Sequence, residues 1–130
     1  MHIDDDVFAE WVSEAVELLP RRFRDALHNI AIDIEDRPTE ETKRRVRIPR
    51  RSLLLGVYTG VPLTARTHQY GAYGNLPDKI VLYKRNIESV ARTHEEVRQQ
   101  VALTLLHEVG HYFGMTEAQL AEVELLEPDE

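Results

Sequence analysis

The sequence contains no cysteine, so disulfides and thiolate metal ligands are both excluded. That absence fits a reducing compartment. Positive charge is in deficit too. The formal net charge is −7 and the pI is about 5.4, which favours solubility and disfavours general nucleic-acid binding. No apolar run approaches the roughly 20 residues that span a bilayer. The start, Met1-His2-Ile3-Asp4-Asp5-Asp6, is acidic, whereas a secretory signal needs a basic start and an apolar core. There are no internal repeats and no Gly/Ser linker. The expectation is one soluble, cytoplasmic domain over residues 1–130, with no membrane partner.

What the chain does contain is an ordered series of patterned segments. Val7, Phe8, Trp11, Val12, Ala15, Val16, Leu18 and Leu19 recur at helical spacing behind Asp4 to Asp6, and Pro20 ends that run. Phe23, Ala26 and Leu27 predict another helical turn or two. Ile30, Ile32 and Ile34 alternate with Ala31, Asp33 and Glu35, the pattern of a half-buried strand.

Thr39 to Ser52 reads as a polar, irregular surface loop. It carries a basic run of Lys43, Arg44, Arg45, Arg47, Arg50 and Arg51, taken as balancing charge on an acidic body. Leu53 to Gly60 predicts a second strand buried at its start, with Gly56 marking a bulge or a close backbone approach. Val61 to Asp78 is a long loop holding His68, Tyr70 and Tyr73, and Lys79 to Tyr83 is a third strand. Asn86 is expected to cap a short helix through Val90.

A capping box of Thr93 and Glu96 then opens a helix from about His94 to Phe113. Its later half is apolar nearly all round, which predicts burial. This helix carries His107-Glu108-Val109-Gly110-His111, followed by Gly114 and Glu117. Residues four apart share a helix face, so His107 and His111 can aim at one point. Two imidazoles and a carboxylate suit Zn2+, and a catalytic zinc keeps one position open for water. Glu108 stands beside that point and is the candidate general base. Gly114 ends the helix, and Thr116 with Gln119 caps the next, which runs from about Glu117 to Leu126. Glu117 is the candidate third ligand, with Glu122 and Glu124 as alternatives. One zinc per chain is expected.

These residues carry a family resemblance. The chain resembles the small bacterial zincin-like metallopeptidases, a minimal metalloprotease fold. The likeness runs through the opening helix to Leu19-Pro20, the strand Ile30 to Ile34, and the segment Gly56 to Leu63. It is most specific at Pro77-Asp78-Lys79-Ile80-Val81-Leu82-Tyr83 and at His107 to Gly114. The resemblance implies an α+β fold, with a small mixed sheet of about three strands on a buried HExxH helix. An N-terminal helix and a short C-terminal helix complete it. An Asp is usual in the family where this chain has Glu117.

The function expected on these grounds is zinc-dependent hydrolysis of peptide bonds in a peptide or unstructured protein. Tyr73, Tyr70 and His68 are candidates for stabilising the oxyanion. The rival readings are a metal-dependent endoribonuclease, for which only the basic run speaks, and a binding module whose zinc is structural. A structural site would be closed by four protein ligands and would leave Glu108 without a task.

Overall fold

The structure, a computed structural model, describes residues 2–46, 53–60, 78–116 and 118–120. Helix α1 (Asp5–Leu18) is followed by α2 (Arg21–Ala26) and a short 3-10 turn, Leu27–Asn29. Strand β1 (Ala31–Glu35), helix α3 (Glu40–Val46), strand β2 (Gly56–Thr59) and strand β3 (Lys79–Tyr83) come next. Helices α4 (Lys84–Ser89) and α5 (His94–Tyr112) complete the regular elements. Residues 118–120 form the described part of a short C-terminal helix. This is the expected α+β architecture.

The three strands form one mixed sheet in the order β1-β3-β2. β1 runs parallel to β3, with Ile32 opposite Ile80, and β2 runs antiparallel to it, with Val57 opposite Val81. Side chains alternate between the faces of a strand. Ile80 and Leu82 therefore enter the main core, with Phe8, Val12 and Ala15 of α1 and Val97, Val101, Leu105 and Val109 of α5. Val81 and Tyr83 face the other way and form a smaller cluster with Val57, against which Val46 of α3 packs. Helix α5 thus covers one face of the sheet, and Val46 at the end of α3 packs on the other.

Helix α5 is the central buried element. Thr93 caps it, accepting the Glu96 N–H at 3.1 Å, and Glu96 accepts the Arg92 N–H at 2.9 Å. Val97, Val101, Leu105 and Val109 repeat at four-residue spacing and are fully buried. Truncating such a leucine to alanine typically costs about 2–5 kcal/mol.

A second anchor lies at the start of the chain. Glu88 on α4 is buried and accepts the Ile3 N–H at 2.8 Å, while Lys84 Nζ stands 3.0 Å from the same carboxylate oxygen. Burial pushes the Glu88 carboxyl up. The Ile3 N–H and the Lys84 and Arg85 cations outweigh it and hold the group below its ordinary range.

Three expectations are corrected. The polar stretch after Pro38 is not irregular throughout, since Glu40–Val46 is helix α3. Thr39 accepts the Thr42 N–H at 3.1 Å, Glu40 and Glu41 occupy the first turn, and Lys43, Arg44 and Arg45 the last. That charge order complements the helix dipole. Asn86 does not cap a helix but lies inside α4, where its Nδ2 donates to the Leu54 carbonyl at 2.9 Å. The second strand starts at Gly56, and Leu53 is 52% exposed instead of buried. Among the described residues no helix is long and apolar enough to cross a membrane.

Candidate metal centre

The site is built on the last two turns of α5, and three local features fix those turns in place. The first is the helix end. Gly114 has φ 73°, its N–H donates to the His111 carbonyl at 2.9 Å, and the Met115 N–H donates to the Gly110 carbonyl at 3.0 Å. This is the Schellman arrangement, which reverses the chain and favours glycine at the left-handed position.

The second is aromatic packing on either side of the helix end. Tyr112 meets the Tyr58 ring of β2 edge-on at 5.8 Å, and Phe113 stacks on Phe23 of α2 at 4.9 Å.

The third is the returning chain. Thr116 accepts the Gln119 N–H at 3.2 Å, and Gln119 accepts the Thr116 N–H at 2.8 Å, the expected capping box. Leu120 is fully buried and packs directly onto Gly110, where any Cβ would collide with it. The glycine inside the HExxH sequence is therefore the seat of Leu120.

His107 and His111 lie one turn apart with ring centroids 5.4 Å from each other and planes at 76°. An imidazole nitrogen about 2.0 Å from zinc puts the ring centroid about 3.2 Å away, so two rings at a tetrahedral angle would have centroids about 5.2 Å apart. The centroid separation of the pair is close to that value. Glu108 is buried, and its Oε1 lies 3.1 Å from His111 Nδ1. A ligating histidine is typically oriented in this way through its other nitrogen.

Among the described residues no third His, Asp or Glu joins this pair in a metal-binding group. Glu117 lies outside the described residues, as do Glu122, Glu124, His68, Tyr70 and Tyr73. Its neighbours Thr116 and Ala118 are both described, on the segment that Leu120 brings back to α5.

Beside the motif runs an open groove of about 380 Å³. His107, Glu108, Thr104, Leu103 and Gln100 form its α5 side, and Leu54, Leu55 and Gly56 its β2 side. Gly56 lets the strand approach closely, because a Cβ there would meet Thr104 Cγ2 at 2.8 Å. A glycine breaking the apolar run Leu53-Leu54-Leu55 signals this approach in the sequence, but no local pattern marks the groove beside it. Farther along β2, the Tyr58 hydroxyl donates to Asp78 Oδ1 at 2.7 Å.

Residues 27–126 match the family described as zincin-like metallopeptidase, a span that includes β1, the groove and the whole HExxH segment. The chain belongs to that family. The zincin-like fold is similar to that of a conserved hypothetical protein from T. thermophilus. The two share 22% identity and a TM-score of 0.54, over 85% of this chain and 94% of the other. At that identity the likeness speaks for the fold. No curated protein matches the chain.

Proposed function

We propose that this zincin-like chain is a zinc-dependent metallopeptidase. The observation that carries the reading is the pair His107 and His111, with ring centroids 5.4 Å apart, and the Glu108 carboxylate beside His111 and lining a groove. His107, His111 and Glu117 would hold the metal. When bound, zinc supplies Lewis acidity towards the scissile carbonyl and lowers the pKa of water towards about 7.

The chain's own groups supply the rest. Glu108 takes a proton from the attacking water and passes it to the leaving amine. Its bond to His111 Nδ1 keeps the carboxylate in place while its side chain lines the groove. The β2 side of that groove belongs to an edge strand, because β2 pairs with β3 alone among the described residues. An extended peptide can add to such an edge through main-chain hydrogen bonds. Tyr73, Tyr70 and His68 remain the proposed oxyanion partners.

The endoribonuclease reading rests on the basic run. Lys43, Arg44 and Arg45 are exposed on α3, and α3 packs on the sheet face opposite α5. Those charges therefore do not line the groove beside Glu108. The reading as a closed structural site leaves Glu108 without a role.

The test is hydrolysis of a peptide mixture by the zinc-loaded protein, read by mass spectrometry. Cleavage that a chelator abolishes and zinc restores is expected. Intact peptides at full zinc occupancy would contradict the proposal.

A further inference from the structure

We infer that Leu120 is a positioning residue for the metal centre, a side chain with no donor atom whose seat on Gly110 sets how tightly the site holds zinc. The inference rests on the zinc centre of the proposed function, and it assigns to that centre a residue outside the motif.

The chain that leaves α5 closes back onto one residue twice. The Gly110 carbonyl accepts the Met115 N–H at 3.0 Å, and the Gly110 Cα takes the Leu120 side chain. A Cβ on Gly110 would stand 3.0 Å from Leu120 Cγ and 3.1 Å from Cδ1, and would collide with Cδ2. Gly110 follows His107 by one helical turn and directly precedes His111, so Leu120 bears on the turn that carries both. Between the two closures Gly114 turns the chain at φ 73°, and Thr116 and Gln119 cap each other. The Leu120 N–H then donates to the Thr116 carbonyl at 2.9 Å.

Leu120 is also not part of the general core. It is fully buried, yet among the described residues it belongs to neither hydrophobic cluster. Its burial holds the returning segment onto the motif instead of joining sheet to helix.

Metal ligands must stand within about 0.2 Å of their ideal distances. A segment left free would have to be ordered by the metal itself, and ordering costs conformational entropy. Leu120 orders Thr116 to Leu120 in the folded chain, before any metal arrives. The proposed third ligand, Glu117, lies within that stretch of sequence. Preorganisation of this kind raises affinity without a new contact.

The test is the zinc affinity of the full, untagged chain, by competition with a chromophoric chelator. Cobalt in place of zinc reads the coordination through its visible spectrum. Leu120→Ala should bind zinc roughly 10- to 100-fold more weakly, the loss typical when a group supporting the ligands is removed. Its cobalt spectrum should change as well. Leu120→Met keeps the volume and should stay within about twofold of wild type. Leu120→Val trims less than alanine, should give a smaller loss, and serves if Leu120→Ala does not fold.

Glu88→Gln is the control. It destabilises the chain from α4, which leads into the opposite end of α5 from the motif, and it should bind zinc as wild type does. Wild-type affinity and spectrum in Leu120→Ala would overturn the seat and leave the metal centre standing. An equal loss in Glu88→Gln would overturn it too, because lowered stability alone would then explain the effect. Wild type that holds no zinc would overturn the metal centre and the seat together.

Discussion

His111 Nδ1 lies 3.1 Å from Glu108 Oε1, three residues back on the same helix. The contact joins the two roles assigned to the motif. It holds the imidazole through Nδ1, and it holds the carboxylate that would move protons. Glu108→Gln keeps the shape and much of the hydrogen bonding but removes the base. Zinc content should stay at the wild-type level while peptide hydrolysis falls by roughly 10²- to 10⁴-fold. Metal analysis and turnover on one preparation check both halves, and retained turnover would remove Glu108 from its role.

Gly110 gives a prediction about stability. Its absent Cβ is what lets Leu120 seat against α5. Gly110→Ala should cost about 1–3 kcal/mol through overpacking, although alanine is the better helix former. Thermal unfolding reads the loss. Trimming the clashing partner, as in Gly110→Ala with Leu120→Ala, should cost less than the sum of the two single changes.

Glu88 predicts an acid-sensitive anchor. Its carboxyl is held below the ordinary range in the folded chain, by contacts that outweigh the upward push of burial. A lowered folded value means that the contribution to stability is present above the unfolded value and is lost as pH falls through the folded one. Glu88→Gln should therefore destabilise the protein at neutral pH by about 3 kcal/mol, because Lys84 loses its buried partner. The gap between variant and wild type should narrow below about pH 4. Urea unfolding at several pH values tests this, and a gap independent of pH would contradict it.

Much of this arrangement was legible in the residues. Thr93 and Glu96 announced the start of α5, Gly114 its end, and Thr116 with Gln119 the next cap, because each signal acts over three or four residues. Lys79–Tyr83 was readable from its run of β-formers. Helix α3 was also legible, in Thr39-Glu40-Glu41 followed by Lys43 to Arg45, but the density of charge obscured the cap. Asn86 misled because its side chain serves a distant carbonyl, at Leu54, instead of the nearest helix end. The strand order and the groove could not be read. They depend on which segments meet across the sheet, and Gly56 acquires meaning only once Thr104 lies beside it.

The peptidase reading depends on one catalytic zinc held by His107, His111 and Glu117. The most direct measurement is metal content by mass spectrometry, on untagged wild type and on Glu117→Ala and His107→Ala prepared in parallel. The expected result is about one zinc per chain in the wild type and a sharp loss in both variants. Wild type that holds no zinc even after zinc is supplied would contradict the metal centre, and full occupancy in Glu117→Ala would contradict the third ligand.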